Sequence, residues 1–116
     1  MARSILTAQL PVTSGLAPVY SGADSNGSAF VNNGKRFLHV KNASGSPINV
    51  TITNPALVDG QAAPNRVVSV PATTGDKMIG PFPSVYNQQD GTNQVYVDYS
   101  AVTSVTAALI EVTPAV

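Results

Sequence analysis

The side chains of this sequence that could do acid–base or nucleophilic chemistry are few and widely spaced. The chain has one histidine, His39, no cysteine and six carboxylates in 116 residues. A nucleophile relay built on histidine needs a hydroxyl and a carboxylate as partners, and the order of residues neither supplies nor excludes them. His39 stands between Leu38 and Val40 in a segment that alternates like a strand, so we interpret it as a histidine on the surface of a sheet. We therefore predict that the protein is not an enzyme and has no catalytic residues.

Metal and cofactor sites are not indicated by the sequence either. The absence of cysteine excludes disulfide bonds, thiolate zinc sites and thiol catalysis. A metal site built on His39 needs several carboxylates close together, and the acidic residues are scattered. The run Asp-Ser-Asn-Gly at 24–27 looks like the start of a calcium loop, but the distal glutamate and the flanking helices of that motif are missing. We interpret this run as a turn and predict neither a metal nor a cofactor.

The low charge of the chain indicates a surface suited to contact with other proteins. Charged residues make up 10% of the sequence, whereas about 25% is usual in soluble domains. Six basic residues balance six acidic ones, so the clustered basic patch of a nucleic-acid-binding protein is missing. A net charge near zero gives little protection against association. We expect a homo-oligomer, or a subunit of a larger assembly, that does not bind nucleic acid.

No targeting or membrane segment is predicted. The first ten residues contain a broken apolar run, whereas a secretory signal needs about 7–15 continuous apolar residues. No stretch approaches the roughly 20 apolar residues of a membrane helix. We expect a protein that is made in the cytoplasm and does not contact a membrane.

Short runs of Val, Ile, Thr and Tyr, separated by Gly, Pro, Asn and Asp, predict an all-β fold. The run 48–53 alternates aliphatic residues with Asn and Thr, so one of its faces enters a core. We predict a two-sheet antiparallel sandwich, of jelly-roll or immunoglobulin-like topology, over residues 19–116. Asn33-Gly34, between two such runs, is a strong signal for a hairpin. The seven or eight predicted strands lie at 17–21, 28–32, 36–41, 48–53, 66–70, 77–80, 94–100 and 105–112.

Residues 1–18 differ in composition from the rest, and we interpret them as an extended amino-terminal arm with weak or no regular structure. Pro11 and Pro18 fix their own φ and favour extended geometry in the residues before them. Two interpretations stay open: a frayed terminus, or an arm that lies along a neighbouring subunit and fills grooves there. In the second interpretation the apolar side chains of the arm contact the partner; these residues are Ile5, Leu6, Leu10 and Val12.

A resemblance to a known family rests on the order of several strand and turn motifs. The motifs are NGKRFLHVKN at 33–42, INVTI at 48–52, VSVPA at 68–72, IGPF at 79–82 and VYVDY at 95–99. In this order they resemble the motifs of small β-sandwich head decoration proteins, also called cement proteins, of tailed bacteriophages. The similarity spans about residues 30–112 and leaves the amino-terminal arm outside. The motifs consist of turns and core alternations, so they bear on fold and not on catalysis.

The resemblance implies a structural virion protein that binds the outside of the phage head and stabilises contacts between capsomers. The implied partner is the major capsid protein, and the implied location is the head exterior after synthesis in the host cytoplasm. One alternative is a tail, neck or fibre component of the same virion. Another, from a different class, is a module that binds host glycans on aromatic side chains; the candidates for that role are Tyr20, Phe82, Tyr86, Tyr96 and Tyr99.

Overall fold

The computed structural model describes residues 3–89 and 91–112, and these contain no α-helix. Seven strands have four to seven residues each, five have two, and Ser84–Tyr86 forms one 3-10 turn. The strands are β1 Ser4–Ile5, β2 Ala8–Gln9, β3 Ser21–Gly22, β4 Ser28–Val31, β5 Arg36–Asn42, β6 Ile48–Ile52, β7 Leu57–Val58, β8 Gln61–Ala62, β9 Arg66–Val70, β10 Gly75–Ile79, β11 Gln94–Tyr99 and β12 Val105–Glu111.

The seven longer strands form two sheets that pack face to face. The first sheet has the order β1-β4-β11-β6-β9. The second has the order β10-β5-β12, and both β2 and β3 pair with the remaining side of β12. The short strands β7 and β8 form a separate hairpin. These pairings confirm the predicted all-β two-sheet sandwich.

The core lies between the two sheets and follows from the alternation of each strand. In β6, Ile48, Val50 and Ile52 are buried while Asn49 is exposed, as a strand with one face in a core requires. The largest fully buried side chain is Phe30 on β4, whose ring centroid lies 5.5 Å from that of Phe82. Burial of a side chain of this kind stabilises the fold by about 1.5–3 kcal/mol.

The predicted hairpin at Asn33-Gly34 is wrong. Strand β4 pairs with β11 in the first sheet, whereas β5 pairs with β10 and β12 in the second. The turn conformation itself is present, with a φ of 80° at Gly34. Its amides bond to side chains: the Gly34 N–H donates to the Asn32 Oδ1 at 3.0 Å, and the Lys35 N–H donates to the Asn33 Oδ1 at 2.9 Å. These side-chain hydrogen bonds give the turn amides partners without the paired strands of a hairpin. The chain can therefore pass here from the first sheet to the second.

Asn42, at the end of β5, joins two turns on one edge of the sandwich. The residue is 1% exposed. Its Nδ2 donates to the backbone carbonyls of Ser46 at 2.9 Å and Pro71 at 3.1 Å, and its Oδ1 accepts from the Ser44 N–H at 2.9 Å. Since Pro71 opens the connection from β9 in the first sheet to β10 in the second, this carboxamide fixes one sheet to the other.

We expect Asn42→Ala to lower the free energy of unfolding by about 2–4 kcal/mol, because it removes the hydrogen bonds of a buried carboxamide and separates the two turns that the side chain joins. Urea unfolding followed by tyrosine fluorescence measures the change. Asn49→Ala is the matched control, since Asn49 is exposed on β6, and its change should stay within about 0.5 kcal/mol. Equal losses in the two variants would contradict this role of Asn42.

The amino-terminal segment, residues 3–10, bridges the two sheets at one side of the sandwich. Strand β1 pairs in parallel with β4 of the first sheet, and β2 pairs in parallel with β12 of the second. Leu6, between them, packs against the core. This differs from the interpretation of 1–18 as having weak or no regular structure, because the edges of both sheets offer the extended chain backbone partners. Residues 1 and 2 lie outside the described residues, and the division at 18 and 19 stays a prediction.

Candidate interaction surface

Arg3 fastens the amino-terminal segment to the first sheet. Its Nη1 donates to the Val97 carbonyl at 3.1 Å and to the Asp98 Oδ1 at 2.7 Å. Its guanidinium also lies 4.4 Å from the ring centroid of Tyr96, a distance at which cation–π attraction operates. Three contacts to β11 therefore hold the start of β1 in place. The next two residues, Ser4 and Ile5, pair with β4 beside it.

The four arm residues predicted to contact a partner divide into two groups. Ile5, Leu10 and Val12 are 61%, 46% and 59% exposed. Leu6 is half-buried and packs against the core of its own chain. The structure thus leaves three of the four apolar side chains available on the surface. Their contact with a partner stays a prediction.

An apolar groove of about 350 Å³ lies beside Ile5 and Leu6, on the side of β12 that pairs with β2 and β3. It lies where β2 and β3 pair with different parts of that strand, next to Ala108. Ile5 and Val19 stand on its walls, and both side chains are exposed. The groove therefore lies between the amino-terminal segment and the edge of the second sheet.

The interpretation of His39 as a histidine on the sheet surface is only half right. Its side chain lies on the outer face of the second sheet, but the residue is 8% exposed because residues 11–20 cross that face. Its Nε2 is bonded to the Asp76 carboxylate, and its Nδ1 lies 2.7 Å from the Tyr20 hydroxyl. Since a carboxylate only accepts, Nε2 donates to Asp76, and Nδ1 shares a hydrogen bond with the Tyr20 hydroxyl. These partners are not indicated by the sequence, because Tyr20 and Asp76 lie 19 and 37 residues away from His39.

The order carboxylate, imidazole, hydroxyl is also the order of groups in hydrolytic relays. Here the hydroxyl is the phenol of Tyr20, and the Lys41 ammonium lies 4.4 Å from the centroid of its ring. The ring of Tyr20 also meets that of His39 edge to face. These contacts hold the crossing segment against the second sheet. That the protein is not an enzyme stays a prediction.

The aromatic residues considered for glycan binding lie in several environments. Phe82 and Tyr86 contact each other, with ring centroids 6.1 Å apart. Tyr20 packs on His39, and Tyr96 lies under Arg3. The Tyr99 hydroxyl is 2.9 Å from that of Ser28, and burial raises the pKa of this phenol. Each ring therefore has an intramolecular contact that accounts for its position.

A second apolar groove, of about 300 Å³, lies at the opposite side of the sandwich from the amino-terminal segment. Strands β9 and β10, the last strands of the two sheets, meet there. The buried ring of Phe82 and the half-buried ring of Tyr86 line it, together with Val68 and two prolines. Arg66 is the one charged side chain in the lining. Sequence reasoning missed this groove.

Two carboxylates on the surface are stabilised in their ionised form. A hydrogen bond from Arg36 at 2.7 Å, and a further one from Asn33, hold the pKa of Glu111 below its ordinary value of 4.5. A hydrogen bond from the Ser4 hydroxyl, and one from the Asn26 N–H, likewise lower the pKa of Asp24 from 3.8. Asp24 thereby links the amino-terminal segment to the body through β1.

We expect the free energy of unfolding to fall as the pH is lowered from about 6 to about 3. Both groups have folded-state pKa values below those of the unfolded chain, so their stabilisation is complete above the ordinary values. It is lost as the pH falls through the folded values. Glu111→Gln should be less stable than the unaltered protein at the higher pH, and the difference should vanish in acid. Urea unfolding at several pH values measures this.

The matched control for Glu111 is Asp59→Asn, in the exposed turn between β7 and β8. Asp59 forms no ion pair within the described residues. This substitution should leave the pH dependence as it is. A Glu111→Gln curve that runs parallel to that of the unaltered protein at all pH values would contradict the role of Glu111.

With this geometry established, the molecule is an all-β sandwich whose surface offers grooves and exposed aliphatic side chains. Comparison with known proteins finds no family model, curated protein or solved structure that matches the chain. Within residues 3–89 and 91–112, no group of three or more His, Cys, Asp or Glu side chains could hold a metal ion. The same residues include no helix long and apolar enough to cross a membrane.

Proposed function

We propose that this protein is a head decoration subunit of a tailed bacteriophage, which binds the outside of the capsid and strengthens the contacts between capsomers. The observation that carries the proposal is the group of exposed aliphatic side chains Ile5, Leu10 and Val12 on a segment fastened to the sandwich. The resemblance of residues 30–112 to such proteins supports the class.

The shape of the molecule supports binding to a broad surface. Its principal extents are 45 × 43 × 23 Å, so it is a plate about half as thick as it is wide. Each partner in a standard interface contributes roughly 800 Å². A face with edges of 45 and 43 Å can supply that area and still contact more than one capsid subunit.

The mechanism we propose is a clamp that makes no covalent bond. Each copy binds two or more subunits of the major capsid protein through apolar and backbone contacts, as part of a homo-oligomer. The formal net charge of zero keeps long-range repulsion from the lattice small. Many weak contacts repeated over a lattice give a large total stabilisation, because each bound copy raises the effective concentration of the next contact.

The experiment that tests this function uses phage heads that lack the protein. The purified chain is added, and the temperature at which heads release their DNA is measured. We expect the protein to sediment with the heads and to raise that temperature. Heads that release DNA at the same temperature with and without bound protein would contradict the clamp.

A further inference from the structure

The side of the sandwich formed by β9 and β10 is open. Within the described residues, β9 pairs with β6 alone and β10 pairs with β5 alone. The opposite side is bridged by residues 3–10, whereas within the described residues no strand bridges this side. The connection 71–74 joins the two edge strands, and residues 80–83, which follow β10, line the groove between them. An edge strand presents N–H and C=O groups without partners and can template the addition of another strand. The strand β9 is five residues long, which is enough for an extended peptide to pair with.

Both edge strands place a cation on the face of their sheet that points toward the core. Arg66 is the register partner of the fully buried Ile52, and Lys77 is the partner of the fully buried Val40. Paired residues lie on the same face of a sheet. Arg66 and Lys77 are nevertheless exposed, because each is at an open edge. Neither forms an ion pair with any residue in 3–89 or 91–112.

The groove beside β9 has an apolar floor next to this unpaired charge. Phe82 and Ile79 are buried in its base, and the exposed Pro81 and Pro83 form its rim. Side chains that point to one face of a strand recur at every second residue. If a strand is added to β9, one of its side chains therefore lies next to Arg66. The side chain two positions further along the added strand lies on the surface formed by Phe82 and the two prolines.

We propose that the edge of β9 binds an extended acidic segment of a partner protein by strand addition. Such a segment carries Asp or Glu two residues from an aliphatic residue. The carboxylate pairs with the Arg66 guanidinium, whose planar fork can donate two hydrogen bonds to it. The aliphatic side chain lies on Phe82 and the prolines. A second copy of the same edge does not supply the required partner, because β9 has no carboxylate that could pair with Arg66. The inference is independent of the partner being a capsid subunit.

The experiment uses the full chain and a short labelled peptide, blocked at both ends, in which glutamate and valine take turns at every second position and threonine lies between them, so that both share one face of the strand. Fluorescence anisotropy measures the affinity, and amide exchange detected by NMR locates the bound strand. We expect the amides of β9 to become protected. The same peptide with glutamine in place of glutamate should bind about tenfold more weakly, as should the original peptide to Arg66→Gln. Arg66→Lys, which keeps the charge but not the fork, should lie between.

Lys41→Gln is the matched control, since it removes the same charge from the outer face of the second sheet, where Lys41 pairs in register with Asp76 and Thr106. Its affinity for the acidic peptide should equal that of the unaltered protein. Thermal unfolding checks that every variant is folded, as expected for substitutions of exposed residues.

Three results would overturn the proposal. These are equal binding of the acidic and glutamine peptides, no binding of either, or self-association of the double variant Arg66→Gln, Lys77→Gln without peptide binding by the unaltered chain. The last result would mean that the cations serve only to prevent edge-to-edge aggregation.

Discussion

The variant Ile5→Ser, Leu10→Ser, Val12→Ser is expected to lose capsid binding by at least about 100-fold, because three exposed aliphatic side chains leave the interface together. Burial of each is worth about 1 kcal/mol or more at partial exposure, and 1.4 kcal/mol corresponds to tenfold in affinity. The fold should be retained, since all three side chains are exposed while Leu6 and Arg3 are unchanged. Co-sedimentation with purified heads over a range of protein concentrations measures the affinity.

The β7–β8 hairpin offers a matched control for this variant. Leu57 and Val58 are 68% and 66% exposed, so Leu57→Ser, Val58→Ser removes a similar exposed apolar area from a different part of the surface. We expect this double variant to bind heads as the unaltered protein does. If the two variants bind equally well, the amino-terminal segment is not the contact with the capsid.

The second large effect is expected from Phe30→Ala, which should lower the free energy of unfolding by about 3–5 kcal/mol. Phe30 is fully buried on β4 and packs on Phe82, so its loss leaves a cavity between the sheets. A domain of this size has a total stability of about 5–15 kcal/mol. The variant therefore loses a large part of this stability. On heating, it should stop protecting heads at a lower temperature than the unaltered protein does.

Urea unfolding measures the effect of Phe30→Ala, and Met78→Ala is the control because Met78 is 67% exposed on β10. The control should change the free energy of unfolding by no more than about 0.5 kcal/mol. A loss below about 1 kcal/mol for Phe30→Ala would show that the two sheets do not pack through this residue.

The strands that carry the fold could be predicted because their alternation is a local property. In β6 and β9 the predicted runs 48–53 and 66–70 match the observed bounds Ile48–Ile52 and Arg66–Val70 within one residue. Pairing between strands is not local. Asn33-Gly34 has the sequence of a hairpin turn, yet the carboxamides of Asn32 and Asn33 satisfy the turn and let β4 and β5 join different sheets.

The surface was harder to predict than the core, because it depends on how the amino-terminal segment lies over the sheets. Pairings of two residues, as in β1 and β2, are too short to have a periodicity. The burial of Leu6 and of His39 follows from those pairings and from the crossing of residues 11–20. The groove at Arg66 depends on two strand edges that meet only in the folded chain.

Imaging of purified virions, with the protein located by a label, tests the central claim most directly. If the protein clamps capsomers from outside, it will be found in hundreds of copies per particle, spread over the head surface at the points where capsomers meet. A few copies at one vertex would instead place it in the neck or tail. Absence from virions, with the chain abundant as a free monomer, would contradict a structural role in the particle altogether.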